Sequence, residues 1–154
     1  MVSARFTIVL VPLLLLACTA PPARQAGATL RRGALELIDW RATNSVGRAG
    51  ASLFGVISSR VPDTLQSVRT ALAERVTLHF TESSGIMQPT AAFGIEAGER
   101  LVLRDQGPHA MMESLVRALE PGDSVTITFR FARAGEVELR VPVVRLTEAA
   151  TELP

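Results

Sequence analysis

Both histidines of this chain and three of its four methionines fall in one stretch, in the order His79, Met87, His109, Met111, Met112. Imidazole and thioether together make a metal-site pattern. Thioether sulfur is a soft donor that suits Cu(I), whereas Zn(II) sites draw on thiolate, imidazole and carboxylate, and Ca(II) or Mg(II) take oxygen. Monovalent copper is therefore the first metal to consider. Blue-copper electron transfer needs a cysteine thiolate in the copper plane, and the single cysteine, Cys18, lies far from this stretch and is either acylated or removed with the N-terminal leader. With no disulfide or thiolate site to build, the donor set favours holding Cu(I) over cycling electrons.

The local sequence gives these donors directions. In Val76-Thr77-Leu78-His79-Phe80-Thr81, strand geometry puts Val76, Leu78 and Phe80 on one face and Thr77, His79 and Thr81 on the other. An extended chain after Gly107-Pro108 projects His109 and Met111 from the same side, roughly 7 Å apart at Cα. An imidazole and a sulfur can then converge on one ion. Met112 points the opposite way and reads as core packing, the ordinary use of a flexible thioether. A lone histidine on a polar strand face is usually a solvated side chain, so the case for a site rests on the clustering of His79, Met87, His109 and Met111.

The elements that must carry these residues are strands. Val125, Ile127, Phe129 and Phe131 alternate with Thr126, Thr128 and Arg130, and beyond Ala134-Gly135, Val137, Leu139 and Val141 alternate with Glu138 and Arg140. That is a hairpin with one buried face. Ala34 to Trp40, Ser52 to Ser58, Val76 to Thr81, Phe93 to Ile95 and Leu101 to Arg104 are further strand candidates, divided by turn signals such as Ala97-Gly98 and Pro121-Gly122-Asp123. Periodicity leaves Thr64 to Glu74 and Met111 to Leu119 open between helix and strand. Many short strands at regular turn spacing predict an all-β sandwich.

The N-terminus says where such a domain would work. After Arg5 the apolar run Phe6 to Ala17 has the length of a signal-peptide core, roughly 7 to 15 residues, and is too short to span a membrane. It ends in Leu15-Leu16-Ala17-Cys18, which resembles the bacterial lipobox. On that reading residues 1–17 are a lipoprotein signal peptide and Cys18 is lipidated; an ordinary secretory signal cleaved after Ala20 is the alternative, and both place the mature protein outside the cytoplasm. Several acyl chains on Cys18 would anchor it stably in a membrane. The proline-bearing, small and polar segment 18–32 reads as a tether, residues 33–146 as one domain, and 147–154 as a tail. About 135 mature residues allow one core, not two.

Every basic residue is arginine, sixteen in all against fifteen acidic residues, and loss of Arg5 with the leader brings the two into balance. Their interspersion offers no basic stripe for nucleic acid. There is no Gly-Xaa-Ser-Xaa-Gly, no His-Glu-Xaa-Xaa-His and no phosphate-binding glycine loop, and Ser83-Ser84-Gly85 reads as a turn. The sequence does not read as an enzyme.

Taken together, Trp40-Arg41-Ala42-Thr43, Arg75-Val76-Thr77-Leu78-His79, Gly85-Ile86-Met87, Ile95-Glu96-Ala97-Gly98, Gly107-Pro108-His109-Ala110-Met111, Leu119-Glu120-Pro121-Gly122-Asp123 and Ala134-Gly135-Glu136-Val137 resemble the extracytoplasmic PCuAC copper chaperones, over about Leu37 to Val143. The family pattern is a histidine, ten residues, a methionine, twenty-one residues, then His-Xaa-Met. Here twenty-one residues separate Met87 from His109 and Met111 completes His-Xaa-Met, but only seven separate His79 from Met87, and the ten-residue spacing selects Thr90. The resemblance implies a cupredoxin-like β-sandwich that binds Cu(I) through His79, His109, Met111 and Met87. It also implies delivery of copper to a copper-accepting cuproprotein, such as a cytochrome c oxidase subunit or assembly factor at the CuA centre. The competing reading is a non-metal interaction lipoprotein that keeps the sandwich as a scaffold and carries a degenerate site, for which the short His79 to Met87 spacing and Pro89 speak.

Overall fold

The computed structural model describes residues 25–149. The leader, Cys18 and the first part of the tether precede them. Eleven strands and one short helix follow in order: β1 Ala28–Arg32, β2 Leu35–Thr43, β3 Gly50–Ser59, β4 Asp63–Arg69, β5 Ala73–Thr81, β6 Met87–Thr90, β7 Phe93–Ile95, β8 Arg100–Leu103, β9 Pro108–Leu115, β10 Ser124–Phe131, β11 Gly135–Val144 and α1 Leu146–Ala149. The all-β sandwich expected from the sequence is borne out as a nearly closed sheet. Neighbouring strands run β6-β5-β9-β3-β2-β11-β10-β4-β7, with β1 added to β2 and β8 to β3. The first five form one wall and the last four the other. The parallel pairing of β11 with β2, at Val143 opposite Ala42 and Val144 opposite Thr43, joins them.

The predicted hairpin is β10 and β11, paired without interruption from Ser124 opposite Pro142 to Phe131 opposite Gly135. Its inward residues Val125, Ile127, Phe129, Val137 and Val141 meet Trp40, Leu53, Ile57 and Met112 from the other wall in one buried cluster. The Trp40 indole packs edge-on against Phe129, with ring centroids 4.5 Å apart, and its Nε1–H donates to the Val56 carbonyl at 3.2 Å. A buried indole N–H thus has its partner.

Three departures from strict alternation shape this core. In β2, Leu37 and Trp40 both face inward although they stand three positions apart, because the pairing with β3 slips between Ile38 and Arg41. Asp39, at φ 52°, takes up the extra residue. Its carboxylate accepts from the Gly27 N–H at 2.9 Å and from Arg41 Nη2 at 2.9 Å, so the bulge is tied on both sides. In β4, Leu65 and Val68 both bury across a slip against β10. In β9, Ser114 at φ 53° turns Leu115 inward after Met112. The two segments left open between helix and strand are therefore strands, β4 with the start of β5, and β9.

Two boundaries need correction. Residues 28–32, read as tether, form β1, whose pairing with Leu35 to Trp40 lets Ala28 and Leu30 pack against the core. The tail begins with α1, and Ala149 buries with Phe54 and Val144 in a small cluster of its own. Among the described residues no helix is long and apolar enough to cross a membrane.

Candidate metal centre

The centre is assembled by one strand pair. Antiparallel β5 and β9 place His79 opposite His109, Thr77 opposite Met111 and Arg75 opposite Glu113. Leu78, Ala110 and Met112 are buried in the core, so alternation turns these six residues to the outer face. Met112 is fully buried, as its direction in the sequence suggested. The two imidazole rings lie 5.5 Å apart between centroids and 28° from parallel. Met111 is half-buried beside them, two residues along from His109.

His109 is only 4% exposed, and its Nδ1 lies 2.9 Å from the Gly107 carbonyl oxygen. A carbonyl can only accept, so Nδ1 carries the proton in the neutral ring and Nε2 keeps the lone pair. His79 is less enclosed, and its Nδ1 is 3.4 Å from Thr77 Oγ1. The Thr77 hydroxyl donates to Glu113 Oε1. Arg75 closes the group, with Nη2 bonded to Glu113 Oε2 and Nε 3.2 Å from the same oxygen. The Thr77 hydroxyl first, and the Arg75 guanidinium after it, hold the Glu113 carboxyl below its usual range.

Met87 reaches the same face by the β5–β6 hairpin. Pairing runs Leu78 with Thr90, His79 with Pro89, Phe80 with Gln88 and Thr81 with Met87. Opposed residues share a face, so Met87 and Pro89 lie on the histidine side, while Thr90 sides with Leu78. The short spacing and the register thus agree: Met87, and not the Thr90 that ten-residue spacing selects, is the residue presented beside the histidines. Gly85 at φ 82° makes the tight turn, in which the Gly85 N–H donates to the Glu82 carbonyl at 2.9 Å. Met87 lies diagonal to His79 on the side away from Met111, about 7 to 8 Å off in such a ladder, and is 53% exposed. The structure therefore brings His79, His109 and Met111 together and sets Met87 at their margin.

Among the described residues no three of histidine, aspartate and glutamate gather as a metal site. Glu113, the carboxylate that β9 places on this face, is already engaged by Thr77 and Arg75. A cavity of about 300 Å³ lined by Arg32, Leu35, Val61, Asp63 and Arg133 shares no residue with this face. Its buried Asp63 accepts from the backbone N–H groups of Thr64, Arg133 and Ala134 and so serves a turn. The sequence carries only half of the signal for Thr77, Glu113 and Arg75: each stands two or four residues from a proposed ligand on an alternating strand, but the β5–β9 pairing is what brings them together.

The LpqE-like family, described as lipoproteins, has a model that matches residues 34–143. No curated protein matches the chain. Among solved structures, the chain is similar to the copper-bound PCuAC domain from PmoF2, at 20% identity and a TM-score of 0.67 over 76% of this chain and 97% of that one. The apo PCuAC domain from PmoF1 follows at 19% and 0.66, over 76% and 98%. The solution structure of CuI-DR1885 from Deinococcus radiodurans gives 22% and 0.54, over 85% and 84%. Likeness at this level is likeness of fold, and it bears out the sandwich expected from the PCuAC resemblance. With the family model spanning most of its length, the chain belongs to the LpqE-like family and carries the fold of PCuAC domains.

Proposed function

We propose that this protein is an extracytoplasmic, lipid-anchored Cu(I) carrier that hands copper to an accepting cuproprotein, with the CuA centre of cytochrome c oxidase as the recipient implied by the PCuAC resemblance. The observation that carries the reading is the register pairing of His79 with His109, flanked on one face by Met111 and Met87. Copper in the PmoF2 domain and Cu(I) in DR1885, which share the fold, support it. The leader, the lipobox at Cys18 and the lipoprotein description of the family support the location.

The division of labour follows from burial. His109 is enclosed and hydrogen-bonded at Nδ1, so it supplies the fixed imidazole. Met111 and Met87 are weak thioether donors on an open face, where an acceptor's ligands can replace them one at a time. Release of the cargo then requires no opening of the core.

A Cu(I) titration against a competing colorimetric chelator tests this, run on the wild type, Met87→Ala and a His109→Ala/Met111→Ala double variant. One-to-one binding abolished in the double variant is the expected result. Failure of the wild type to compete would put the scaffold reading in its place.

A further inference from the structure

We propose that Thr77, backed by Glu113 and Arg75, is a positioning residue that holds the His79 imidazole in the tautomer with its Nε2 lone pair free for a metal. The consequence for copper rests on the carrier reading; the positioning itself does not.

The argument is a count of protons. A threonine hydroxyl has one hydrogen to give. Thr77 spends it on Glu113 Oε1, an ionised acceptor kept in place by Arg75 on its other oxygen. The Thr77 oxygen that faces His79 Nδ1 at 3.4 Å is then left only as an acceptor. A neutral imidazole answers an acceptor at Nδ1 by carrying its proton there, which leaves Nε2 unprotonated. His109 reaches the same state through the Gly107 carbonyl. Two register-paired rings thus present the same nitrogen, one set by backbone and one by a side-chain relay. Partners of this kind behind a ligating histidine fix its ring and tautomer, and their loss typically costs 10 to 100-fold in metal affinity. The contact at His79 is longer than that at His109, so the His79 tautomer is the one a mutation can release.

The test uses the full-length chain, solubilised in detergent and free of metal, at a pH about two units above the ordinary imidazole value of roughly 6.5. Nitrogen-15 NMR of the two rings distinguishes protonated from unprotonated nitrogens. Both histidines should show a protonated Nδ1 in the wild type. Thr77→Val should move His79 toward a mixture of tautomers and leave His109 unchanged, Thr77→Ser should restore the wild-type pattern, and Glu113→Ala should act in the same direction as Thr77→Val. Cu(I) affinity should fall about tenfold in Thr77→Val. A wild-type His79 protonated at Nε2, or His79 shifts indifferent to both Thr77→Val and Glu113→Ala, would overturn the proposal. Should the wild type bind no Cu(I), the carrier reading fails while the nitrogen shifts still decide the role of Thr77.

Discussion

His79 and His109 face each other directly across β5 and β9, and their rings stack at 5.5 Å. Thirty residues of sequence are closed into one cross-strand pair, so the relative position of the two imidazoles is set by backbone hydrogen bonds and not by loop conformation. Such a ladder fixes where the two side chains leave the backbone before any ion binds.

The adjacent methionines of β9 separate metal binding from stability. Met112 is fully buried among core residues, and Met111 lies on the outer face beside His109. Met112→Ala should cost about 2 to 4 kcal/mol through the cavity it leaves, with little change in Cu(I) stoichiometry. Met111→Ala should stay within about 1 kcal/mol of wild type in stability and weaken Cu(I) binding. Urea denaturation and chelator competition on the two variants check this; the reverse pattern would move the site off this face.

Two carboxyls give the acid limb of stability its sign. Glu113 is held low first by the Thr77 hydroxyl and then by Arg75, and Asp123 first by the Arg117 guanidinium and then by the Glu120 N–H. Because their folded values lie below the unfolded ones, the unfolded chain binds more protons in that interval and stability rises with pH there. Their contribution is complete above the ordinary carboxyl value of about 4 and fades as pH falls through the depressed folded values. Urea midpoints measured between about pH 3 and pH 6 should therefore drop less steeply in a Glu113→Gln/Asp123→Asn double variant. Both pairs face solvent, so added salt should shrink the difference.

Gly55 is a packing constraint that no turn explains. A Cβ there would stand 2.4 to 2.6 Å from atoms of the Trp40 indole, which lies flat across the β3 backbone. Gly55→Ala should displace the ring and its contact with Phe129, and cost about 3 kcal/mol, the upper range for overpacking. Tryptophan fluorescence should shift with the loss of stability. An unchanged unfolding midpoint would mean that the indole has room to move.

The hairpin of β10 and β11 was legible because its apolar residues alternate without a slip, from Val125 to Phe131 and from Val137 to Val141. The regions that resisted reading are those where alternation breaks. Leu65 and Val68 are inward neighbours three apart across a bulge, and Met112 and Leu115 are so across the left-handed Ser114. A spacing of three is what one face of a helix shows, so a bulged strand imitates a helix in one dimension. Asp39 hides in the same way: strict alternation would put its carboxylate in the core with Leu35 and Leu37. At the site, His79, His109 and Met111 were legible from residue type and parity. Thr77 and Glu113 were not, because their role depends on which strand lies beside which.

The register of β5 and β6 decides how a shortened spacing can still supply a sulfur. A hairpin with three fewer residues between its histidine and methionine changes parity, and a methionine kept at an arbitrary position would have an even chance of facing the core. Met87 pairs with Thr81 and so shares the outer face, whereas Thr90 pairs with Leu78. Met87→Ala should therefore weaken Cu(I) binding by less than loss of a histidine, since a marginal and half-exposed thioether is removed, with each tenfold corresponding to about 1.4 kcal/mol. Adding Thr90→Met to Met87→Ala restores the family's ten-residue spacing in sequence but puts the sulfur on the wrong side of the strand. The double variant should bind no better than Met87→Ala alone in chelator competition. Recovery of wild-type affinity would show that β6 can shift its register, and that spacing, not the pairing seen here, governs the fourth ligand.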